Sequence, residues 1–489
     1  MALVEPPCIE NLKNMKLNKN KCNEKNSRQK SQNEIILLIS SAALEKLFPE
    51  PFCFYVTLWV KIKFWSRQAE IFKFLKGVNS RVNKIKWTMN KQKSGILTSA
   101  AKSFNIEATE KVMKFHSSFA GYTPTPLRNL TSLAEHLGVA AFYAKDESYR
   151  FGLNAFKVLG GSYAMGRYIA ERLDLDMADL TFDKITSAEV QKKLGKITFV
   201  TATDGNHGRG VAWVAARLAQ KAVVYMPKGS SENRLNNIKN EGAEASITDL
   251  NYDDAVRLAE SQAKKYGWVV VQDTAWEGYE DIPLWIMQGY ATMAKEAYQQ
   301  LLEMQCQKPT HVFLQAGVGS LAGAVQAFFA NAYHEAPPKV IIVEPNAADC
   351  IFKSFEADDG KARFVGGDME TIMAGLACGE PNSIGWEILR NLSEMAISCP
   401  DWVAAHGMRV LGNPLGSDER VVSGESGALP AGCASLLMTC EALLPIRKAL
   451  ALDETSRILV FSTEGDTDPE KYRSIVWNGE YPSKIDKEK

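Results

Sequence analysis

Short apolar runs that alternate with helical segments constrain the fold of this 489-residue chain more than any other feature. Each run is rich in β-branched residues and is bounded by polar or turn residues, which is typical of buried strands. The predicted strands are 139–145, 197–201, 222–226, 268–272, 311–315, 340–343 and 458–461, and helices are predicted between them, for example over 208–220 and 253–266. This order predicts an α/β protein with parallel sheets covered on both faces and with ligand sites at the carboxyl ends of the strands.

The composition changes near residue 88. Residues 1–88 hold 16 Lys and Arg against 7 Asp and Glu, a net charge of +9, and the remaining 401 residues hold 41 against 50, a net charge of −9. The apolar run 51–60 is well short of the roughly 20 residues of a membrane-spanning helix, and a segment rich in Lys and Asn is unlike a transit peptide. We predict that residues 1–88 are a basic extension, poorly ordered or foreign to the native protein, and that Met89 is the natural start.

The rest of the composition excludes several classes of function. The net charge of the whole chain is 0, so neither nucleic acid nor a membrane is an expected partner. The nine cysteines and six histidines show no spacing typical of metal ligands or of a disulfide framework, so we predict no metal site. Free cysteines favour a reducing, cytoplasmic compartment. The length predicts at least two domains.

Two segments indicate the cofactor. Lys157 lies in the run 150–162 at the start of a predicted helix, and small residues follow it closely. A lysine held in this way and partly desolvated can lose its proton and attack an aldehyde. The strand 311–315 continues into the glycine-rich turn 316–323, which offers backbone N–H groups to a phosphate. A reactive lysine together with a phosphate-binding turn predicts pyridoxal 5′-phosphate (PLP).

Polar loops follow three other predicted strands. Thr-Asp-Gly-Asn-His-Gly at 203–208 leads directly into a helix, whose N-terminus suits a substrate carboxylate. Asp-Thr-Ala-Trp-Glu-Gly-Tyr at 273–279 and Ser-Thr-Glu-Gly at 462–465 follow two more strands. We expect these loops to carry the chemistry, because ligands bind at the carboxyl ends of parallel strands.

These motifs occur in an order that resembles the fold-type II PLP enzymes, the group of the tryptophan synthase β-subunit and threonine dehydratase. The resemblance runs from about residue 115 to about residue 478, and the segments 203–208 and 273–279 are similar to the diaminopropionate ammonia-lyase family in particular. It implies two parallel-sheet α/β domains with the active site in the cleft between them. The large PLP-binding domain would comprise 89–157 and 276–489, and the small domain 158–275. The family is typically dimeric, so a homodimer is expected.

The resemblance assigns roles to the candidate residues. Lys157 would hold the cofactor as a Schiff base, and Asn206 would bond its 3′-oxygen. The pyridine nitrogen would meet the hydroxyl of Ser462 or Thr463, and a neutral partner there favours β-elimination. Five consecutive residues would hold the phosphate: Gly317, Val318, Gly319, Ser320 and Leu321.

Two aspartates predict the substrate. Relatives that act on serine or threonine usually have a small residue where Asp204 stands, and a carboxylate there suits a small amino acid with a second, cationic amine. By the resemblance, Asp204 would take the Cα proton of the D-isomer and Asp273 that of the L-isomer. The implied activity is elimination of ammonia from D- and L-2,3-diaminopropionate, a catabolic reaction that gives pyruvate and two ammonia molecules. The alternatives are a serine, threonine or D-serine dehydratase and a catalytically silent PLP-fold binding protein.

Several further residues are weaker candidates. His207 would assist proton transfer or simply pack, and the sequence favours neither. The segment 122–127 would lie at the cleft entrance, and a turn around Glu380 and Asn382 would close over substrate. The pocket-lining candidates and the cysteines whose pairing stays open are Trp276, Glu277, Tyr279, Cys350 and Cys378.

Overall fold

Strands and helices alternate along the chain, which confirms the predicted α/β class. The computed structural model describes residues 85–176, 180–203 and 205–484. Seven strands fall on the predicted apolar runs, although the run 268–272 keeps only two residues in strand conformation, and four other strands were not predicted. The strands are β1 (Lys86–Met89), β2 (Leu127–Asn129), β3 (Ala141–Asp146), β4 (Thr198–Ala202), β5 (Lys221–Met226), β6 (Glu244–Ile247), β7 (Val269–Val270), β8 (His311–Gln315), β9 (Lys339–Pro345), β10 (Met395–Cys399) and β11 (Arg457–Ser462).

Helices fill most of the connections between the strands. The two helices predicted at 208–220 and 253–266 form with slightly earlier starts. The helices are α1 (Ser99–Lys102), α2 (Ile106–Ser117), α3 (Thr131–Leu137), α4 (Val158–Arg172), α5 (Phe182–Thr186), α6 (Ala188–Leu194), α7 (Asn206–Arg217), α8 (Glu232–Asn240), α9 (Tyr252–Tyr266), α10 (Asp281–Glu303), α11 (Ser320–Ala332), α12 (Cys350–Ala357), α13 (Ser383–Leu392), α14 (Asp401–Gly412), α15 (Glu425–Thr439), α16 (Leu444–Leu450) and α17 (Pro469–Val476).

The larger sheet has the strand order β1-β10-β9-β8-β11-β3-β2. Its five inner strands are parallel, and the edge strands β1 and β2 pair in the antiparallel direction. Every residue of β3 and of β8 is buried. Burial on both faces explains why these strands are continuous apolar runs rather than alternating ones.

The smaller sheet is parallel throughout, in the order β6-β5-β4-β7. All four strands lie inside 158–275, the range predicted for the small domain, and the boundaries themselves stay a prediction. The boundary predicted at residue 88 falls inside β1, where Trp87 pairs with Ile397. The predicted extension otherwise lies outside the described residues, which begin at Ile85.

Strand order brings the predicted loops together. β8 and β11 are neighbours, so the glycine-rich turn after Gln315 lies beside the turn after Ser462. The Gln315 side chain joins the two turns, since its Nε2 donates to Phe461 O at 3.0 Å and to Thr463 Oγ1 at 2.8 Å. In the smaller sheet β4 and β7 are neighbours, which brings the loop after Ala202 next to the loop after Val270.

No single helix within the described ranges has both the length and the hydropathy needed to cross a membrane, although the bent pair Glu425–Thr439 and Glu441–Leu450 meets these criteria by length and composition.

Candidate active site

One cavity receives loops from both sheets and contains about 700 Å³ of space free of atoms. Most of the predicted site residues line it, whereas Ser462 does not and Asp204 lies outside the described residues. The predicted residues on its wall are Lys157, Asn206, His207, Asp273, Gly317, Val318, Gly319, Ser320, Leu321 and Thr463. The geometry therefore brings together candidates that are more than 300 positions apart in the chain.

Lys157 caps the N-terminus of α4. The chain reaches it through a tight turn in which Phe151, Gly152 and Asn154 have positive φ angles of 50°, 70° and 60°. The lysine side chain is 17% exposed, and its Nζ forms an ion pair with Oδ2 of Asp273. The amine is thus partly desolvated on a cavity wall, where an aldehyde can reach it, as a Schiff-base lysine requires.

The Asp273 carboxylate is buried and accepts several hydrogen bonds. Tyr290 Oη donates to Oδ2 at 3.2 Å, and Tyr252 Oη donates to Oδ1 at 3.4 Å. Burial alone would raise the pKa of Asp273, but the Lys157 ammonium and the charge of His207 outweigh it and hold this pKa well below its usual range. The carboxylate is therefore ionised at neutral pH.

His207 is buried in the first turn of α7. Its Nε2 lies 2.8 Å from the carbonyl oxygen of Val271, so Nε2 carries a proton and donates it to that carbonyl. This bond orients the ring between the two loops of the smaller sheet. A role in proton transfer stays a prediction.

The glycine-rich turn forms a tight cup at the start of α11. Gly319 has φ 90°, a conformation that favours glycine, and a Cβ at Gly317 would lie 3.2 Å from Cα of Leu376. No side chain among the described residues caps this N-terminus. Because the first amides of a helix have no intrahelical partner, the cup offers N–H groups and a positive dipole to an anion. The residues present therefore fit a phosphate.

Ser320 and Asn382 connect this cup to the Asp273 loop. Ser320 Oγ donates to the carbonyl oxygen of Asp273, and Asn382 Nδ2 donates to Ser320 Oγ at 2.8 Å. The Asn382 backbone N–H also donates to Val318 O at 2.7 Å. Asn382 is fully buried beneath the cup, and Glu380 pairs instead with Arg257 at 2.7 Å. Neither residue lines the cavity, and closure of this turn over substrate stays a prediction.

A buried glutamate supports Asn206. Asn206 Nδ2 donates to Oε2 of Glu464, whose Oε1 accepts the backbone N–H of Ser426 at 3.1 Å. Glu464 is 2% exposed and lies on the cavity wall beside Asn206. The amide of Asn206 is thus held by the loop that follows β11.

The structure distinguishes the two candidate hydroxyls after β11. Ser462 is fully buried, and its Oγ has no hydrogen-bond partner within the described part of the chain. Thr463 lines the cavity, and its Oγ1 accepts from Gln315 Nε2, which leaves the hydroxyl proton of Thr463 to donate elsewhere. Of the two hydroxyl residues, Thr463 is the one on the cavity wall, and the contact of either with a pyridine nitrogen stays a prediction.

Most of the weaker candidates lie outside the cavity wall, and His207 and Cys378 are the exceptions. Trp276 and Tyr279 stack on each other with ring centroids 4.3 Å apart, and Tyr279 Oη donates to Val270 O at 3.0 Å. Tyr122, in the segment predicted at the cleft entrance, donates to Glu296 in the core at 2.8 Å. Cys350 and Cys378 are not joined by a disulfide, and of these two residues only Cys378 lines the cavity.

Sequence reasoning missed part of the cavity wall. Glu464 is part of the Ser-Thr-Glu-Gly motif, but no sequence pattern indicated that this glutamate is buried rather than exposed on the surface. Tyr252 and Tyr290 lie in helices, and only the folded chain brings them to Asp273. The wall residues that were not predicted as site residues are Phe156, Thr203, Tyr252, Tyr290, Gln315, Ala316, Gly375, Leu376, Cys378, Ser426 and Glu464.

The chain is similar to known PLP-dependent enzymes. Residues 119–446 match the family model described as pyridoxal-phosphate-dependent enzyme. Over 397 residues the chain is 52% identical to diaminopropionate ammonia-lyase from Salmonella typhimurium, covering 81% of this chain and 98% of the relative. The chain belongs to the diaminopropionate ammonia-lyase family of PLP-dependent enzymes.

Other members of the diaminopropionate ammonia-lyase family agree. The Escherichia coli K12 relative is 53% identical over 378 residues, covering 77% of this chain and 93% of its own length. A crystal structure of the selenomethionine-substituted holo-lyase from Escherichia coli superimposes with a TM-score of 0.76 at 50% identity, covering 82% of this chain and 98% of that one. The predicted family, the fold-type II architecture and the PLP cofactor are thereby confirmed.

Proposed function

We propose that this protein eliminates ammonia from both D- and L-2,3-diaminopropionate. With one water, each substrate molecule gives pyruvate and two ammonia molecules. The observation that supports this best is the ion pair of Lys157 with the buried Asp273, on the wall of a cavity that also holds the glycine-rich cup. Membership of the diaminopropionate ammonia-lyase family points to the same substrate.

PLP, when bound, supplies an aldehyde for the α-amine and a ring that withdraws the electron pair left at Cα. Lys157 Nζ would hold the aldehyde carbon, and the turn from Gly317 to Leu321 would hold the phosphate. Asn206 would donate to the 3′-oxygen and Thr463 to the pyridine nitrogen. Each of these side chains or turns lies on the cavity wall.

The carboxylates do the proton chemistry in this proposal. Asp273 takes the Cα proton of the L-isomer, which requires its carboxylate to be ionised. Asp204 takes the Cα proton of the D-isomer. Lys157 Nζ, beside Asp273, gives a proton to the β-amine as the Cβ–N bond breaks. Free aminoacrylate then hydrolyses in water to pyruvate and the second ammonia.

Product stoichiometry tests the proposal. The full-length protein with PLP is incubated with D- and L-2,3-diaminopropionate and with D- and L-serine, and pyruvate and ammonia are both measured. We expect two ammonia molecules per pyruvate from each diaminopropionate isomer and little product from serine. Strong turnover of serine, with one ammonia per pyruvate and none from diaminopropionate, would identify a dehydratase instead.

We also propose a cytoplasmic homodimer with a small domain at 158–275. No disulfide joins the described cysteines, which supports a reducing compartment, and the placement of the four-stranded sheet supports the domain range. Family resemblance supports the dimer. Light scattering coupled to size-exclusion chromatography measures the mass, and a monomer at micromolar concentration would contradict the dimer.

A further inference from the structure

Tyr290 is fully buried in α10 and lines the cavity. Its hydroxyl donates to Oδ2 of Asp273 at 3.2 Å, the same oxygen that contacts Lys157 Nζ. The ring packs against Phe156, the residue before the lysine, with centroids 4.7 Å apart. Tyr290 thus contacts both the carboxylate and the segment that carries the amine.

Two glycines allow α4 and α10 to approach each other closely beside Tyr290. A Cβ at Gly160, in α4, would lie 2.5 Å from Cε1 of Tyr290, and a Cβ at Gly289 would collide with the Leu159 carbonyl. The helices α4 and α10 therefore approach closely where Lys157 begins α4. The sequence thus provides a close helix crossing that brings the tyrosine to the lysine and the aspartate.

The second oxygen of Asp273 has its own donor. Tyr252 Oη lies 3.4 Å from Oδ1 and accepts from Gln272 Nε2 at 2.7 Å. Gln272 Oε1 in turn accepts from Thr201 Oγ1 at 2.9 Å and from Ala202 N at 3.0 Å. This chain of bonds orients Tyr252 so that its proton is available to Asp273.

Asp273 needs such donors when the lysine is engaged elsewhere. A buried carboxylate that loses its lysine is protonated more easily, because burial penalises the charged form, and the charge of His207 then remains to lower the pKa of Asp273. A protonated Asp273 accepts no proton from substrate. Once the Lys157 amine holds the cofactor aldehyde, its charge is no longer committed to Asp273. The tyrosine hydroxyls remain in place.

We propose that Tyr290 is a positioning residue for the L-isomer reaction, which aims Oδ2 of Asp273 at the Cα proton and keeps the carboxylate ionised while Lys157 is engaged. This inference rests on the proposed function, in which Asp273 serves the L-isomer and Asp204 the D-isomer. The D-isomer reaction is then an internal control within the same molecule.

The experiment uses full-length holoenzyme carrying Tyr290→Phe, which keeps the ring and removes only the hydroxyl. The matched control is Tyr298→Phe on the same helix, where the ring contacts Phe328 and Tyr333 away from the cavity. Both isomers are assayed for kcat, KM and the pH dependence of kcat/KM. PLP affinity of the apoprotein is measured by fluorescence titration as a readout independent of turnover.

We expect Tyr290→Phe to lower kcat for the L-isomer by roughly tenfold with little change in KM, and to change the D-isomer by less than about twofold. The acid limb of kcat/KM for the L-isomer should move up by about one pH unit, as expected for loss of one hydrogen bond to a carboxylate. PLP affinity and the Tyr298→Phe control should match wild type.

Two results would overturn the inference. Equal losses for both isomers would mean that Tyr290 serves the cofactor or the fold, and unchanged L-isomer kinetics would mean that the hydroxyl does not act on Asp273. Failure of the proposed function is a separate outcome, since wild-type protein would then form no pyruvate from either diaminopropionate isomer.

Discussion

Two buried lysine–carboxylate clusters lie close together in sequence but differ in their surroundings. The members of the core ion cluster are Lys145, Glu147, Arg150 and Glu296, whose side chains are at most 1% exposed. The second is the pair of Lys157 and Asp273, whose lysine is 17% exposed on a cavity wall. The difference teaches that burial of charge does not by itself indicate function, whereas charge that faces a cavity does.

The core ion cluster is internally complete. Lys145 Nζ uses its three donors on Glu296 at 2.7 Å, Thr125 O at 2.7 Å and Gln300 at 2.9 Å. Arg150 donates to both Glu147 and Glu296 at distances of 2.8–2.9 Å. Such a cluster fixes the segment before Lys157 in place and leaves no donor for a ligand.

The largest expected effect is a loss of activity without a loss of fold when Lys157 is replaced. Lys157→Ala should lower pyruvate formation by roughly 10³-fold or more, because among the described residues no other lysine pairs with Asp273. The far-ultraviolet circular dichroism should be that of the wild type. A matched control is Lys193→Ala, which removes an exposed lysine. Loss of fold in Lys157→Ala would show that the lysine is as structural as Lys145.

In the core ion cluster we expect the opposite result, a loss of stability rather than a specific loss of turnover. Glu296→Ala leaves Lys145 and Arg150 buried without this carboxylate, which should cost about 3–5 kcal/mol in the free energy of unfolding. Urea unfolding measures this loss, and the control Glu107→Ala at an exposed ion pair should change little. Unchanged stability, or a specific loss of turnover in folded Glu296→Ala, would contradict the structural assignment.

Sequence patterns predicted the cavity-facing pair but not the core ion cluster. Lys157 lies in a recognisable motif at the start of a predicted helix, and Asp273 lies in one directly after a predicted strand. Lys145 and Glu296 are 151 positions apart, and no local pattern connects a strand lysine to a helix glutamate across that distance. Long-range charge pairing is a product of tertiary packing, so composition and periodicity do not reveal it.

The same limit applies to strands and to side-chain direction. The apolar runs predicted seven strands, but β1 and β2 lie at sheet edges and β10 contains serine and cysteine in an otherwise apolar segment. The sequence left the choice between Ser462 and Thr463 open, and the folded chain places Thr463, directly after β11, on the cavity wall.

Overpacking the crossing of α4 and α10 should give a smaller effect, which combines a loss of stability with a loss of L-isomer turnover. Gly160→Ala would force its Cβ against Tyr290 and Ile286, costing about 1–3 kcal/mol and lowering L-isomer turnover more than D-isomer turnover. Gly161→Ala is the matched control, because its Cβ would meet Val211 at an ordinary 3.6 Å. Thermal unfolding and both kinetic assays check this, and equal behaviour of the two variants would argue against a tight crossing.

The smallest expected effect extends the comparison to Glu344, a fully buried carboxylate at the end of β9. Its oxygens accept the backbone N–H groups of Ile351 at 2.9 Å and Phe352 at 2.6 Å, at the start of α12. Burial raises the pKa of Glu344 to about 8, more than these bonds lower it, whereas Asp273, beside a lysine, is shifted down. A carboxylate held by amides thus behaves differently from one held by a cation.

Because the folded-state pKa of Glu344 is raised, the folded chain binds a proton that the unfolded chain has released between about pH 4.5 and pH 8. This contribution to stability is fully present below the unfolded pKa and is lost as the pH rises through the folded one. The wild-type Tm should therefore fall relative to that of Glu344→Gln by roughly 1–2 °C per pH unit between pH 6 and pH 8. Scanning calorimetry of both proteins across this range measures the difference in slope. Parallel pH profiles would mean that the helix amides keep Glu344 ionised, so that backbone donors alone can replace the cation that Asp273 and Glu296 each have.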